Sequence, residues 1–328
     1  MTSHNGAKRT RGNQRPSPLL LVVGTGRCGS TLLTEVLARH PDLGFISNID
    51  DKLSRLDLGG RWNNSLFRMA SARDAGLPAM RFGQRLLERG RVRVAPSEGW
   101  NLIERQVGPM LVRPSRDLVA DDLTPDLEKK IRSFFEERMA IQGRPGFLHH
   151  ITGWPRTRLL QAVFPEARIV HVVRDGRAVA NSFLQMGWWD GYRGPDAWYL
   201  GPLPAPYREE WEASGRSFVL LAGLAWKMLI DSFEASREAA RPGSWIDVRY
   251  EDVIADPHGS YARLLEFGGL EWTGDFERGF NRHRFETGAT ERFRRDLGPQ
   301  NLARLEASLA GHLERWGYAA SRDAIRDG

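Results

Sequence analysis

The chain has 328 residues, is 41% hydrophobic and carries a formal net charge of +6, so it can bury a sizeable core, and its charge suits an anionic ligand, an acidic partner or nucleic acid about equally. Its single cysteine, Cys28, excludes an intramolecular disulfide and any cysteine-based metal cluster. The cations are nearly all arginine, with lysine only at positions 8, 52, 129, 130 and 227, and arginine is the better bidentate clamp for phosphate-like groups.

Residues 1–18 are polar and hold Lys8, Arg9, Arg11 and Arg15, which predicts a disordered basic arm, a solvated tail rather than a specific nucleic-acid binder. The apolar run that follows is far shorter than a signal-peptide core, and the most apolar later stretch, 218–230, is interrupted by Gly223 and Lys227. A cytoplasmic protein without a membrane span is expected.

Leu19 to Val23 is a continuous apolar run ending in Gly24, the pattern of a strand buried on both faces of a parallel sheet, and Ser30 to Arg39 reads as a helix. A helical stretch at about 123–142 precedes a second strand, Arg168 to Val173, with Asp175 placed to cap a helix reaching Leu184. Residues 187–207 are too rich in Gly and Pro for regular structure yet carry Trp188, Trp189, Tyr192, Trp198 and Tyr199. Further on come a helix at 216–239, a strand from Ser244 to Val248, a helix from Pro257 to Phe267, and a C-terminal helix at 300–314 with Leu302, Leu305, Leu309 and Leu313 on its buried face. Strands alternating with helices imply an α/β fold: a central parallel sheet with flanking helices, over residues 19–328, as a single domain with helical and loop insertions.

Two stretches carry chemistry. Gly24 to Thr31 joins the first strand to the first helix, where backbone N–H groups and a helix N-terminus together hold an anion. The loop is nearly that of a P-loop nucleoside triphosphatase, but Ser30 stands where that loop needs a lysine for the β- and γ-phosphates, and Arg27 is its only cation. The second stretch runs from Val172 to Ser182. Arg174 there follows a strand end and points into the crevice where α/β folds bind ligands, and Ser182 comes about two turns into the helix.

The run Arg27-Cys28-Gly29-Ser30-Thr31-Leu32 resembles the 5′-phosphosulfate loop of sulfotransferases that use 3′-phosphoadenosine 5′-phosphosulfate (PAPS), with Cys28 in the family's serine position as a small residue that lets the loop close. Arg174 and Ser182 are similar to the Arg and Ser that hold the 3′-phosphate in that family. The resemblance implies a P-loop-like sulfotransferase fold, PAPS as co-substrate, and Gly26, Arg27, Cys28, Gly29, Ser30, Thr31, Leu32, Arg174 and Ser182 as cofactor contacts. Tyr250, in a Tyr-Glu-Asp triplet, is implied beside the adenine. Gly288, in a late loop that resembles the one closing over the 3′-phosphate, is a further implied contact, and Arg284 or Arg292 are candidates to support it because Glu286 and Thr287 replace the cytosolic branch's Arg-Lys. Leu32 stands where the cytosolic branch has its adenine-stacking tryptophan, which brings the chain nearer to the bacterial and Golgi-type branches.

For mechanism, a fixed cation at the leaving phosphate lowers the barrier, and Arg27 is the candidate. A general base must also take the acceptor's proton. His150, next to His149 at a strand end, matches the position where family members carry a catalytic histidine or lysine. Other branches use a glutamate about twenty residues after the loop cation, where Asn48 stands here, and Asp50 and Asp51 lie close by. No metal site is expected. The acceptor is expected to be a small molecule, glycan or lipid, with the 187–207 aromatics forming part of its site. A P-loop kinase and a non-catalytic binder on the same scaffold stay open as alternatives.

Overall fold

The structure, a computed structural model, describes residues 18–70, 94–285 and 291–318. Five parallel strands form one sheet, β1 (Leu19–Gly24), β2 (Leu43–Phe45), β3 (Gly146–Thr152), β4 (Arg168–Val173) and β5 (Trp245–Arg249), in the order β2-β3-β1-β4-β5. β1 is central, paired in parallel with β3 on one side and β4 on the other.

Alternation along β1 explains the layering. Leu19, Leu21 and Val23 share a buried cluster with Phe147, Ile151 and Ile169 and with residues of the helices Pro125–Gln142, Thr157–Val163 and Phe218–Glu238. Leu20 and Val22 face the opposite layer with Leu148, Val170 and Val172, under the helices Ser30–Leu37 and Pro257–Gly268. Every residue of β1 is buried, and each Leu or Val so placed contributes roughly 1.5–3 kcal/mol. A third cluster joins the helices Gly176–Leu184, Phe218–Glu238 and Arg292–Arg315 to the aromatic segment.

Several expected elements are present with shifted bounds, and two strands are additional. β2 is three residues long, too short for a periodic signal, and the His149-His150 pair interrupts the apolar run of β3. The C-terminal helix begins earlier than expected, at Arg292, and is broken at Gly298, whose φ of 70° precedes Pro299. Residues 187–207 are not wholly irregular. A short 3-10 turn covers Gly191–Arg193, and the helix Ala205–Ala213 opens with Pro206 in its first turn, where a missing N–H is harmless. No helix among the described residues is long and apolar enough to cross a membrane.

In a doubly wound sheet, ligands bind where neighbouring strands send their chains to opposite sides. The chain leaves β1 towards β2 and leaves β4 towards β5, so the crevice opens at the carboxyl ends of β1 and β4.

Candidate active site

The loop after β1 is shaped by its backbone. Gly26, Arg27 and Gly29 hold φ values of 85°, 56° and 93°, so successive N–H groups turn inward and form a concavity for an anion. Gly29 caps the helix Ser30–Leu37 without any side-chain cap, which leaves the helix's first N–H groups facing the same concavity. A Cβ at position 29 would stand 2.1 Å from the Tyr250 ring, so both the left-handed backbone and the tyrosine demand glycine there. Arg27 is a non-glycine residue held at positive φ, a backbone outlier that persists only where the surrounding structure fixes it. Cys28 is fully buried beneath the loop, in the layer of Leu20 and Val22.

The second element meets the first. Asp175 caps the helix Gly176–Leu184 by accepting from the Arg177 N–H, as its position in the sequence predicts. Arg174 Nη1 donates to the Arg27 carbonyl at 3.1 Å, and Arg27 Nε donates to Ser182 Oγ at 2.9 Å. The Arg174 guanidinium lies 4.8 Å from the centre of the Tyr250 ring. Residues 147 and 155 positions apart in the chain are thus hydrogen-bonded at the crevice.

The crevice is a cleft of about 1010 Å³ lined by Gly26, Arg27, Gly29, Ser30, Thr31, Leu32, Arg174 and Tyr250, together with Glu98, Trp100, Arg113, Arg156, Trp188 and Tyr199. β3 forms its floor. Alternation sends His149 to the Phe135 side of the sheet and His150 to the loop side, where its Nε2 is hydrogen-bonded to Ser30 Oγ at 2.9 Å. Burial lowers the pKa of both, that of His149 to about 3, so both imidazoles are neutral near pH 7.

The residues that follow β3 are held rigidly. Arg156, at φ 53°, donates through Nη1 to the Thr152 and Trp154 carbonyls and through Nη2 to that of Val112, while its N–H reaches Asp117. Desolvation brings this guanidinium down to about 10, against the pull of Glu98 and Asp117.

Comparison with known proteins identifies the scaffold. A profile of the sulfotransferase family matches residues 18–274. This chain belongs to the sulfotransferase family. Relatives named omega-hydroxy-beta-dihydromenaquinone-9 sulfotransferase Stf3, from Mycobacterium bovis and Mycobacterium tuberculosis, are 28% identical over 128 residues. That stretch is 37% of this chain and only 27% of theirs. The fold is that of sulfotransferase STF9 from Mycobacterium avium, at a TM-score of 0.55 and 14% identity, over 94% of this chain and 80% of that one.

Within the sulfotransferase scaffold, the expected residues divide. Gly26, Arg27, Gly29, Ser30, Thr31, Leu32, His150, Arg174 and Tyr250 line the cleft, and Ser182 joins it through Arg27. Asp50 and Asp51 do not. Asp50 is buried and accepts from Ser47 N–H, Ser47 Oγ and Asn63, closing a capping box, and Asp51 accepts from the N–H groups of Asn101 and Leu102 at the start of the helix Trp100–Gln106. Both carboxylates serve helix starts, and neither is among the residues that line the cleft. Gly288 lies outside the described residues.

The aromatic segment also divides. Trp189 stacks on Phe183 at 5.4 Å and meets Trp198 at 5.7 Å, and both tryptophans are buried. Trp188 and Tyr199, 5.9 Å apart, stay partly exposed and line the cleft, whereas Tyr192 is exposed and is not among the lining residues. Sequence reasoning missed Glu98 and Arg156. The signal available for Glu98 was a lone carboxylate in the Pro96-Ser97-Glu98-Gly99 loop, and for Arg156 its place just after Pro155.

Proposed function

We propose that this chain transfers a sulfuryl group from PAPS to a hydroxyl or amine of a small-molecule, glycan or lipid acceptor. The observation that most supports this reading is the joining of the two anion-binding elements: Arg174 to the Arg27 backbone, and Arg27 to Ser182. PAPS supplies an activated sulfuryl group whose departure leaves negative charge on the 5′-phosphate. The inward N–H groups at 26–32 fit that phosphate, and Arg27 supplies a cation at the developing charge, where a fixed donor acts without reorganisation. Arg174 and Ser182 hold the 3′-phosphate by charge-assisted and hydroxyl hydrogen bonds. Tyr250, flat against Gly29, offers a face beside the base.

A γ-phosphate transfer reading lacks its lysine, since Ser30 occupies that position and its hydroxyl is engaged with His150. In the same cleft, Trp100, Trp188 and Tyr199 give apolar wall area suited to an acceptor with an extended apolar or sugar face. The mycobacterial relatives are named for an omega-hydroxylated menaquinone, which makes a lipid alcohol the first acceptor class to test. Incubation with radiolabelled PAPS and a lipid extract, a glycan pool and a protein fraction tests the reading. Label is expected in one of them, and release of label only as inorganic sulfate from all three would contradict it.

A further inference from the structure

The segment 94–99 is bridged to residues 46–48, just past the end of β2. Asn48 N–H donates to the Ala95 carbonyl at 2.9 Å, Ser97 N–H donates to the Ile46 carbonyl at 2.8 Å, and Ser47 pairs with Pro96. This brings Glu98 into the cleft beside Asn48, the residue that stands where other branches place a glutamate. Thr152 Oγ1 donates to Glu98 Oε1 at 2.6 Å, and the Glu98 carboxylate lies 3.7 Å from His150 Nε2. Thr152 in turn abuts the phosphate loop, its Cβ being 3.7 Å from the position of a Cβ at Gly26. Glu98 is therefore one residue removed from the loop that holds Arg27.

We infer that Glu98 is the general base that takes the acceptor's proton, and that His150 is a positioning residue which holds Ser30 and backs the Glu98 carboxylate. The inference rests on the sulfotransferase reading. In the step, the acceptor O–H bond breaks and its proton passes to Glu98. The acceptor oxygen forms its bond to sulfur as the bond from sulfur to the 5′-phosphate oxygen breaks, and the leaving electron pair stays on that oxygen beside Arg27. Glu98 is favoured over the other carboxylates and over His150 by its hydrogen bond from Thr152, beside the loop. Among the other carboxylates lining the cleft, Glu104 is exposed on the helix Trp100–Gln106, Glu35 lies in the second turn of the helix Ser30–Leu37, and Asp190 precedes the 3-10 turn of the aromatic segment. His150 Nε2 is committed to Ser30, and the ring is almost wholly buried. The ionisable groups facing Glu98 are His150 from β3, Arg156 from the turn after it, and Tyr199 from the aromatic segment.

The test compares the full-length wild type, Glu98→Gln and His150→Asn by PAP release from PAPS, with two probe acceptors at about pH 8. One is 1-dodecanol in detergent, which must lose its proton during transfer. The other is 4-nitrophenol, which is already ionised in solution. Glutamine keeps an oxygen for the Thr152 hydroxyl, so the local structure is retained. Glu98→Gln is expected to lower the dodecanol-dependent rate by about 100-fold or more while leaving the 4-nitrophenol rate within about fivefold. His150→Asn is expected to affect both acceptors alike. Equal loss with both acceptors in Glu98→Gln would overturn the assignment in favour of a structural carboxylate. So would a dodecanol rate kept within about threefold, or an acceptor-selective loss in His150→Asn instead. Calorimetry with PAP on the wild type is read separately, and failure to bind PAP would overturn the donor reading itself, whatever Glu98 does.

Discussion

The cleft wall proposed to hold the donor comes from two runs of consecutive residues, 24–32 and 172–182, each starting at the carboxyl end of a strand, whereas Trp100, Arg113, Arg156, Trp188 and Tyr199 reach the cleft from several separate segments. A phosphate is recognised through successive backbone N–H groups and a helix start, so its site must be written in consecutive residues. An acceptor is recognised by side chains that tertiary structure brings together, and no local rule obliges those residues to be neighbours in the chain. The first kind of site can vary little without losing its ligand; the second can change residue by residue to suit another acceptor.

The largest expected effect sharpens the division inside the aromatic segment. Trp198→Ala is expected to cost about 3–5 kcal/mol of unfolding free energy in a denaturant titration, because its buried ring packs on Trp189. Trp188→Ala, partly exposed, is expected to cost less than about 1 kcal/mol and to raise the acceptor's KM at unchanged PAP affinity. Similar losses of stability in both would erase the distinction between packing and lining rings.

At the proposed donor site, Arg174→Ala is expected to weaken PAP binding by about 2–4 kcal/mol in calorimetry, since it removes a charge-assisted contact and the hydrogen bond to the Arg27 carbonyl. Unchanged affinity would move the 3′-phosphate away from β4. Arg27→Ala is expected to lower turnover by roughly 100-fold, about 2.7 kcal/mol, with PAP still bound, and Arg27→Lys to retain part of the rate. A loss of binding with no loss of turnover at saturation would assign Arg27 to the ground state instead.

The smallest effect concerns the strand that floors the cleft. Neither ring nitrogen of His149 has a hydrogen-bond partner among the described residues, and burial holds its pKa near 3 in the fold against 6.5 unfolded. The unfolded chain therefore binds the extra proton between those values, so this residue's contribution to stability falls as pH drops below about 6.5. His149→Leu is expected to remove that loss, gaining roughly 2 kcal/mol relative to the wild type at about pH 5. Parallel stability curves for the two proteins would show that His149 is not protonated on unfolding in that range.

Most of the local structure around the proposed donor site was legible in the chain. The apolar run before Gly24, the absence of lysine at Ser30, the Arg174–Ser182 spacing and the Asp175 cap are local features, and the structure places each in the element expected for it. For Asp50 and Asp51 the chain alone is ambiguous, because a carboxylate near a site looks the same in sequence as one at a helix start, and only the partners Ser47, Asn63 and Asn101 show the helix-start role. Glu98 escaped notice because its place depends on hydrogen bonds to Ile46 and Asn48 about fifty residues earlier, which carry no periodic signal. The tryptophans of 187–207 could be identified as a functional or packing group, but alternation does not operate in a loop, so which ring faces the cleft is a tertiary fact.

The most direct test of the proposed donor site is a calorimetric comparison of PAP and ATP on the unmodified protein. If Arg174 and Ser182 hold a 3′-phosphate, with Ser30 in place of the γ-phosphate lysine, the protein is expected to bind PAP at least tenfold, about 1.4 kcal/mol, more tightly than ATP. Equal affinities, or tighter binding of ATP, would contradict the assignment of the cleft to a 3′-phosphorylated sulfuryl donor.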